Sequence, residues 1–120
     1  AEGVSERCAF QHGDAAKLDF PDNYFDAVVS NFVFHEVRTQ KDKFMLVEEA
    51  LRVLKKGGAF ALHDTFGNRD MYGDMDVFVA YLKEQGIADV SYIPNTERNI
   101  PMPAPMRFIL RGVGMLYGTK

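Results

Sequence analysis

Asp26-Ala27-Val28-Val29-Ser30 is a short, mostly apolar run with small and β-branched residues on both faces. Such a pattern reads as a buried parallel strand, because an edge or half-solvated strand alternates polar with apolar residues. Downstream, Thr39 is placed to cap a helix, with Asp42 three residues on as a capping-box partner. Phe44, Val47, Leu51 and Leu54 recur at helical spacing, with Ala50 on the same face. Lys55 and Lys56 put positive charge at the negative end of the helix dipole, and Gly57-Gly58 supply a left-handed stop. Ala59 to His63 then reads as a second buried strand. Strand, helix, strand is the unit of a parallel sheet.

The same alternation continues outward. A second helix is expected from about Asp74 to Gln85, with Phe78, Tyr81 and Leu82 inward and Gly86 as its stop. Asp89 to Ile93 reads as a short strand. Pro94 to Pro105 holds four prolines, which suits an irregular loop. Arg107 to Tyr117 is apolar enough for a final strand. The last two strands are joined without a helix, so they can be neighbours only if antiparallel. Upstream, Ala1 to Gly3 resembles the last turn of a helix, Val4 to Gln11 is expected to be a strand, and Pro21-Asp22-Asn23 marks a turn.

The whole chain bounds the function. Its 120 residues suit one small domain, and 47% hydrophobic and 26% charged residues are ordinary for a globular protein. A net charge of −3 argues against nucleic-acid phosphate as the main ligand. The single cysteine, Cys8, has no internal partner, which suits a reducing compartment. No apolar run nears the roughly 20 residues a membrane span needs, and no leader is seen, so no membrane partner and a cytoplasmic location are expected. No residue cluster has structural-zinc spacing, so no metal is expected.

Two groups of residues carry a family resemblance. One is His12-Gly13-Asp14-Ala15 followed by Leu18 to Asn31. The other is Glu49 to Gly58 followed by a strand ending in Asp64. In this order and spacing they resemble the middle of a class I S-adenosylmethionine-dependent methyltransferase, of the ubiquinone-biosynthesis-like small-molecule group. The resemblance is good over about residues 1 to 65. It implies an α/β, Rossmann-like fold with a mostly parallel sheet and an antiparallel C-terminal strand pair, S-adenosyl-L-methionine as cofactor, and a small-molecule acceptor.

The resemblance also implies a site at the C-terminal ends of the parallel strands, where open α/β sheets bind ligands. Asp14 and the Ala15 N–H would hold the adenine, with Phe20 and Tyr24 as apolar surface beside it; read locally, Asp14 is equally a turn residue. Asn31 and Phe32 would line the methionine portion. His35 is the candidate base, with Glu36 beside it; the alternative is a histidine that packs a loop. Asp64 is placed to face substrate or, as in the family's metal-dependent branch, to bind a metal, whereas its neighbour His63 points to the opposite face. Arg52 and Lys55 to Gly58 read as structural. Gly112-Val113-Gly114 reads as a bend or close approach, since too little chain follows for a phosphate loop and helix. The methionines read as apolar filling, with Met102 to Met106 a candidate substrate lid.

The family's glycine-rich strand–loop–helix and its ribose-binding acid are not in this sequence. By resemblance the chain starts inside the second helix, with about 60 residues, or two strand–helix units, preceding it. Residues 1–120 are therefore expected to form a single partial methyltransferase domain. In the family's sheet order a preceding strand lies beside Asp26–Ser30, so that edge is expected to be bare and to drive homodimerisation or a strand swap, or to be filled by Val4–Gln11. Three functions follow: a C-terminal fragment of a methyltransferase, inactive alone; an inactive remnant serving as a binding or assembly module; or an unrelated α/β nucleotide-binding module.

Overall fold

The structure, a computed structural model, describes residues 6–99, 101, 103 and 112–120. Strand β1 is Phe25–Asn31, followed by a 3-10 turn at Phe34–Glu36, helix α1 at Lys43–Arg52 and strand β2 at Leu54–Asp64. Then come short helix α2 (Arg69–Tyr72), helix α3 (Met75–Glu84), strand β3 (Asp89–Ile93), a 3-10 turn at Thr96–Asn99 and strand β4 (Gly114–Thr119). The sheet order is β1-β2-β4-β3. β1 and β2 are parallel, and β4 is antiparallel to both of its neighbours. β1, β2 and β3 therefore point the same way, the mostly parallel α/β arrangement expected.

Helix α1 begins at Asp42, whose carboxylate accepts the Phe44 N–H at 3.0 Å. Thr39 is not its cap, because the chain turns inward at Lys43 instead. The Lys43 ammonium is buried and donates to the Val37 and Gln40 carbonyls, which pins the loop before the helix. Leu46, Val47, Ala50 and Leu51 form the buried stripe of α1. The helix ends at Arg52, earlier than the lysine–glycine pattern suggests, and Leu54 already pairs with Phe25. Pairing resumes only at Ala27↔Ala59, so Lys55 to Gly58 bulge out of the ladder. Gly57 holds φ +83°, and a Cβ on Gly58 would meet the Asp26 carbonyl at 2.8 Å. The glycines thus shape a bulged strand entry rather than stop a helix.

Helix α3 is capped by Asp74, which accepts from Asp76 and Val77 N–H groups. It buries Met75, Phe78 and Leu82, whereas Tyr81 is largely exposed. Both long helices pack on one face of the sheet. Phe60, Leu62, Val90 and Leu116 point toward them and join one core with Leu46, Leu51 and Phe78. The alternate residues face the other way. In register across the sheet lie Val29, Ala61, Tyr117 and Ser91. Among the described residues nothing covers them, and Val29 is 79% exposed.

β1 is an edge strand, the bare edge that the family's strand order implies, but the burial read from its apolar pattern is not met, because among the described residues only one of its faces is covered. The expected strand over Val4–Gln11 does not form among its described residues: 6–11 are exposed turn and irregular chain. A strand needs a ladder partner, and the sheet offers this segment none that it takes. The expected turn at Ala1–Gly3 lies outside the described residues, as do most of the Met102–Met106 loop and residues 107–111 of the last strand. That strand is described from Gly114 and runs to Thr119, beyond Tyr117. Gly112 (φ +70°) and Gly67 pack backbone on backbone, and a Cβ on Gly114 would strike the Tyr92 ring at 2.5 Å. These glycines mark close approach, as read from the sequence.

Candidate functional site

The C-terminal ends of β1, β2 and β3 share one edge of the sheet, and the loops that leave them converge there. β1 hands over through Phe32, whose N–H donates to the His63 carbonyl at 2.8 Å and whose φ of +56° is left-handed. That conformation costs a non-glycine residue about 1 kcal/mol or more, and it swings the chain into the 3-10 turn that carries His35.

The turn is fastened to β2 by Asp64, which is 1% exposed. Its Oδ2 accepts the N–H groups of Phe34 (2.9 Å) and His35 (3.4 Å). Its Oδ1 accepts from Thr65 N–H at 2.7 Å and the His35 Nδ1 at 2.8 Å. A carboxylate accepts only, so the proton sits on Nδ1 and leaves Nε2 to act as an acceptor when the ring is neutral. Nε2 points outward, 3.1 Å from the Glu36 carboxylate; the His35 side chain is 25% exposed and that of Glu36 72%. Beneath Asp64, the Tyr72 hydroxyl is buried without a hydrogen-bond partner among the described residues. Burial, and then the nearby Asp64 charge, push this phenol well above its ordinary value.

Asp64 therefore does not face substrate. It orients His35, a buried acid aiming an imidazole whose other nitrogen faces the exposed Glu36 carboxylate. Sequence spacing concealed this, because the pair is 29 residues apart and meets only through the β1–β2 pairing.

His63 and Asn31 lie on the opposite, bare face, in register. Their side chains bond at 3.0 Å, and the other His63 nitrogen meets Thr96 Oγ1 at 2.7 Å. The Phe32 ring packs edge-on against His63 at 4.9 Å. Asn31, Phe32 and His35 are thus brought together at one strand end, with His63 and Thr96 added by the fold.

Asp14 lies apart, on an exposed loop. Its Oδ1 accepts from Ala16 N–H (2.9 Å) and Thr39 Oγ1 (3.2 Å), and its carbonyl accepts from Lys17 N–H. The turn role is therefore real, and Thr39 tethers this loop to the His35 segment. Among the described residues Oδ2 and the Ala15 N–H have no partner. Phe20 stacks on half-exposed Tyr24 at 5.4 Å.

The loop is held from below by a clamp built on Arg52, which also ends α1 in the structural role that the sequence implies. The Arg52 guanidinium donates to the carbonyls of Leu18 (3.0 Å) and Phe20 (2.9 Å), to Asp22 and to Glu49. Glu49 in turn accepts the Leu18 N–H at 2.8 Å. Hydrogen bonding to Arg52 holds the Glu49 carboxyl below its usual value against some desolvation, and its partners hold Arg52 above its own.

A family model described as a methyltransferase domain matches residues 1–62, just over half of the chain. The chain belongs to the class I S-adenosylmethionine-dependent methyltransferases. This methyltransferase chain is 30% identical over 116 residues to the demethylmenaquinone methyltransferase of Listeria monocytogenes, covering 88% of the chain and 47% of that protein. It thus spans about half the length of the curated relatives it matches. Among solved structures it resembles Haemonchus contortus phospholethanolamine N-methyltransferase 2, in complex with phosphomonomethylethanolamine and S-adenosylhomocysteine, at TM-score 0.58 and 15% identity, over 89% of this chain and 36% of that one. It also resembles the [4+2]-cyclase SpnF at TM-score 0.57 and 23% identity, over 80% and 39%. The fold is thus the family's Rossmann-like one, and the cyclase shows that the fold alone does not dictate the reaction.

Among the described residues no helix is long and apolar enough to cross a membrane.

Proposed function

We propose that this chain is the C-terminal part of a domain that transfers a methyl group from S-adenosyl-L-methionine to a small-molecule acceptor. The observation that carries this reading is His35, aimed by buried Asp64, at the strand end that also presents Asn31 and Phe32. The relatives named for demethylmenaquinone support a small-molecule acceptor. The domain is read as partial because, among the described residues, one sheet face and the β1 edge are bare, while the helix-covered face has a packed core. Upstream strand–helix units would cover both.

The residues present fit the cofactor's adenine and methionine ends. Asp14 Oδ2 would accept from the adenine amino group, the Ala15 N–H would donate to a ring nitrogen, and Asn31 and Phe32 would border the methionine portion. When bound, the sulfonium supplies an electrophilic methyl group and a neutral thioether leaving group. The chain's own work is then positioning and proton removal. His35 Nε2 takes the proton from the acceptor's nucleophile, Asp64 stabilises the imidazolium through Nδ1, and Glu36 offers that proton a way to solvent.

The test is methyl transfer by the protein carrying its upstream sequence. His35→Gln should lower kcat by about 10²-fold or more while leaving S-adenosylhomocysteine affinity unchanged. Equal activity would remove His35 from the reaction. The bare edge favours one further reading, an inactive remnant that assembles with a second copy by strand addition. A concentration-dependent dimer in sedimentation, together with no cofactor binding by the upstream-extended protein, would support it.

A further inference from the structure

On the side of α1 and α3 facing away from the sheet, the two helices enclose an open groove of about 500 Å³. Its floor is apolar: half-exposed Met45, Val77 at 67% exposure, and the ring of Tyr81, which stacks through Phe78 onto Phe44. Its rim is acidic, formed by Asp42, Glu48 and Asp74. A second hollow of about 290 Å³ shares Glu48 and Tyr81 and continues past Leu82 to Ile87. Together they run along both 10-residue helices, a length of about 15 Å or three turns.

Among the described residues no lysine or arginine lines either hollow. Every charged side chain among those lining residues is a carboxylate. A second copy docked groove to groove would set these carboxylates against their own images, and its net charge of −3 adds to the repulsion. The occupant must be cationic where it meets the rim and apolar where it meets the floor. A solvated small cation would leave Met45 and Val77 bare. A helix three turns long, with apolar residues at i, i+3 and i+7 flanked by lysine or arginine, satisfies both.

We propose that the α1–α3 groove is a docking surface for a basic amphipathic helix of a partner protein. It lies on the far side of the helices from the sheet and uses none of the residues assigned to methyl transfer.

The experiment titrates this chain with a fluorescein-labelled 14-residue Leu/Lys peptide of amphipathic helical pattern, with a Leu/Glu peptide of the same pattern as control, followed by anisotropy. The Leu/Lys peptide should bind, become helical on binding, and weaken as salt rises. Val77→Asp and Glu48→Lys should each weaken it about tenfold, whereas Asp89→Lys, an exposed acid on β3, should not. Circular dichroism of the free variants checks their folding. Three results would overturn the proposal: no binding, equal weakening by Asp89→Lys (a general charge effect), or sedimentation showing a dimer that Val77→Asp dissolves, which would make a second copy the occupant.

Discussion

The two faces of the sheet are unlike. On one, Phe60, Leu62 and Leu116 are sealed under α1 and α3, and Asp64 completes the layer by gathering the amides of the 3-10 turn. On the other, Val29 and half-exposed Tyr117 lie open beside Asn31 and His63. Successive residues of one strand serve both faces, so the difference does not come from the strands. It comes from what is packed on them. The covered face positions His35 through Asp64, and Asn31 and Phe32 stand at the margin of the open one.

The largest expected effect tests the covered face. Leu62→Ala should cost about 3–5 kcal/mol in urea unfolding, because a sealed core cannot collapse around the void. A cost below 1 kcal/mol would mean that the core is not formed. Next, Asp64→Asn should cost about 2–3 kcal/mol, since an amide nitrogen would replace an acceptor among converging donors. It should also move the neutral His35 ring from the Nδ1–H tautomer toward Nε2–H, read from the ring ¹⁵N shifts. An unchanged tautomer would mean that Asp64 does not aim the ring.

The Glu49–Arg52 clamp is partly exposed, so Glu49→Gln should cost only about 1 kcal/mol at neutral pH. Because the folded carboxyl titrates below its ordinary value of 4.5, the native protein holds this contribution above that pH and loses it as pH falls through the folded value. The two stability curves should converge in acid; curves parallel down to pH 3 would contradict the clamp. The smallest effect belongs to the bare face. Val29→Ala should change the stability of this chain by less than about 0.5 kcal/mol. In the upstream-extended protein the same change should cost about 1.5 kcal/mol, two buried methyl groups' worth.

Much of this fold was legible in the sequence. β3 and α3 lie where alternation, Asp74 and Gly86 place them, and the bare edge of β1 follows from the strand order. The misses have local causes. Lys55 to Gly58 carry every mark of a helix end, yet a register bulge lets Leu54 begin β2 before them. Thr39 looked like a cap, but its hydroxyl goes to Asp14. Helix α2 has only four residues, too few for periodicity to show. At the site, the family resemblance pointed to Asn31 and Phe32, and imidazole chemistry to His35. The partnership of His35 with Asp64, and of Arg52 with the Leu18–Asp22 loop, required knowing which strand ends are neighbours.

The most direct test is calorimetric titration with S-adenosylhomocysteine of this chain and of the version extended upstream. The extended protein should bind it and this chain should not, or only far more weakly. Equally tight binding by this chain alone, or binding by neither, would contradict the assignment of these residues as half of a cofactor site.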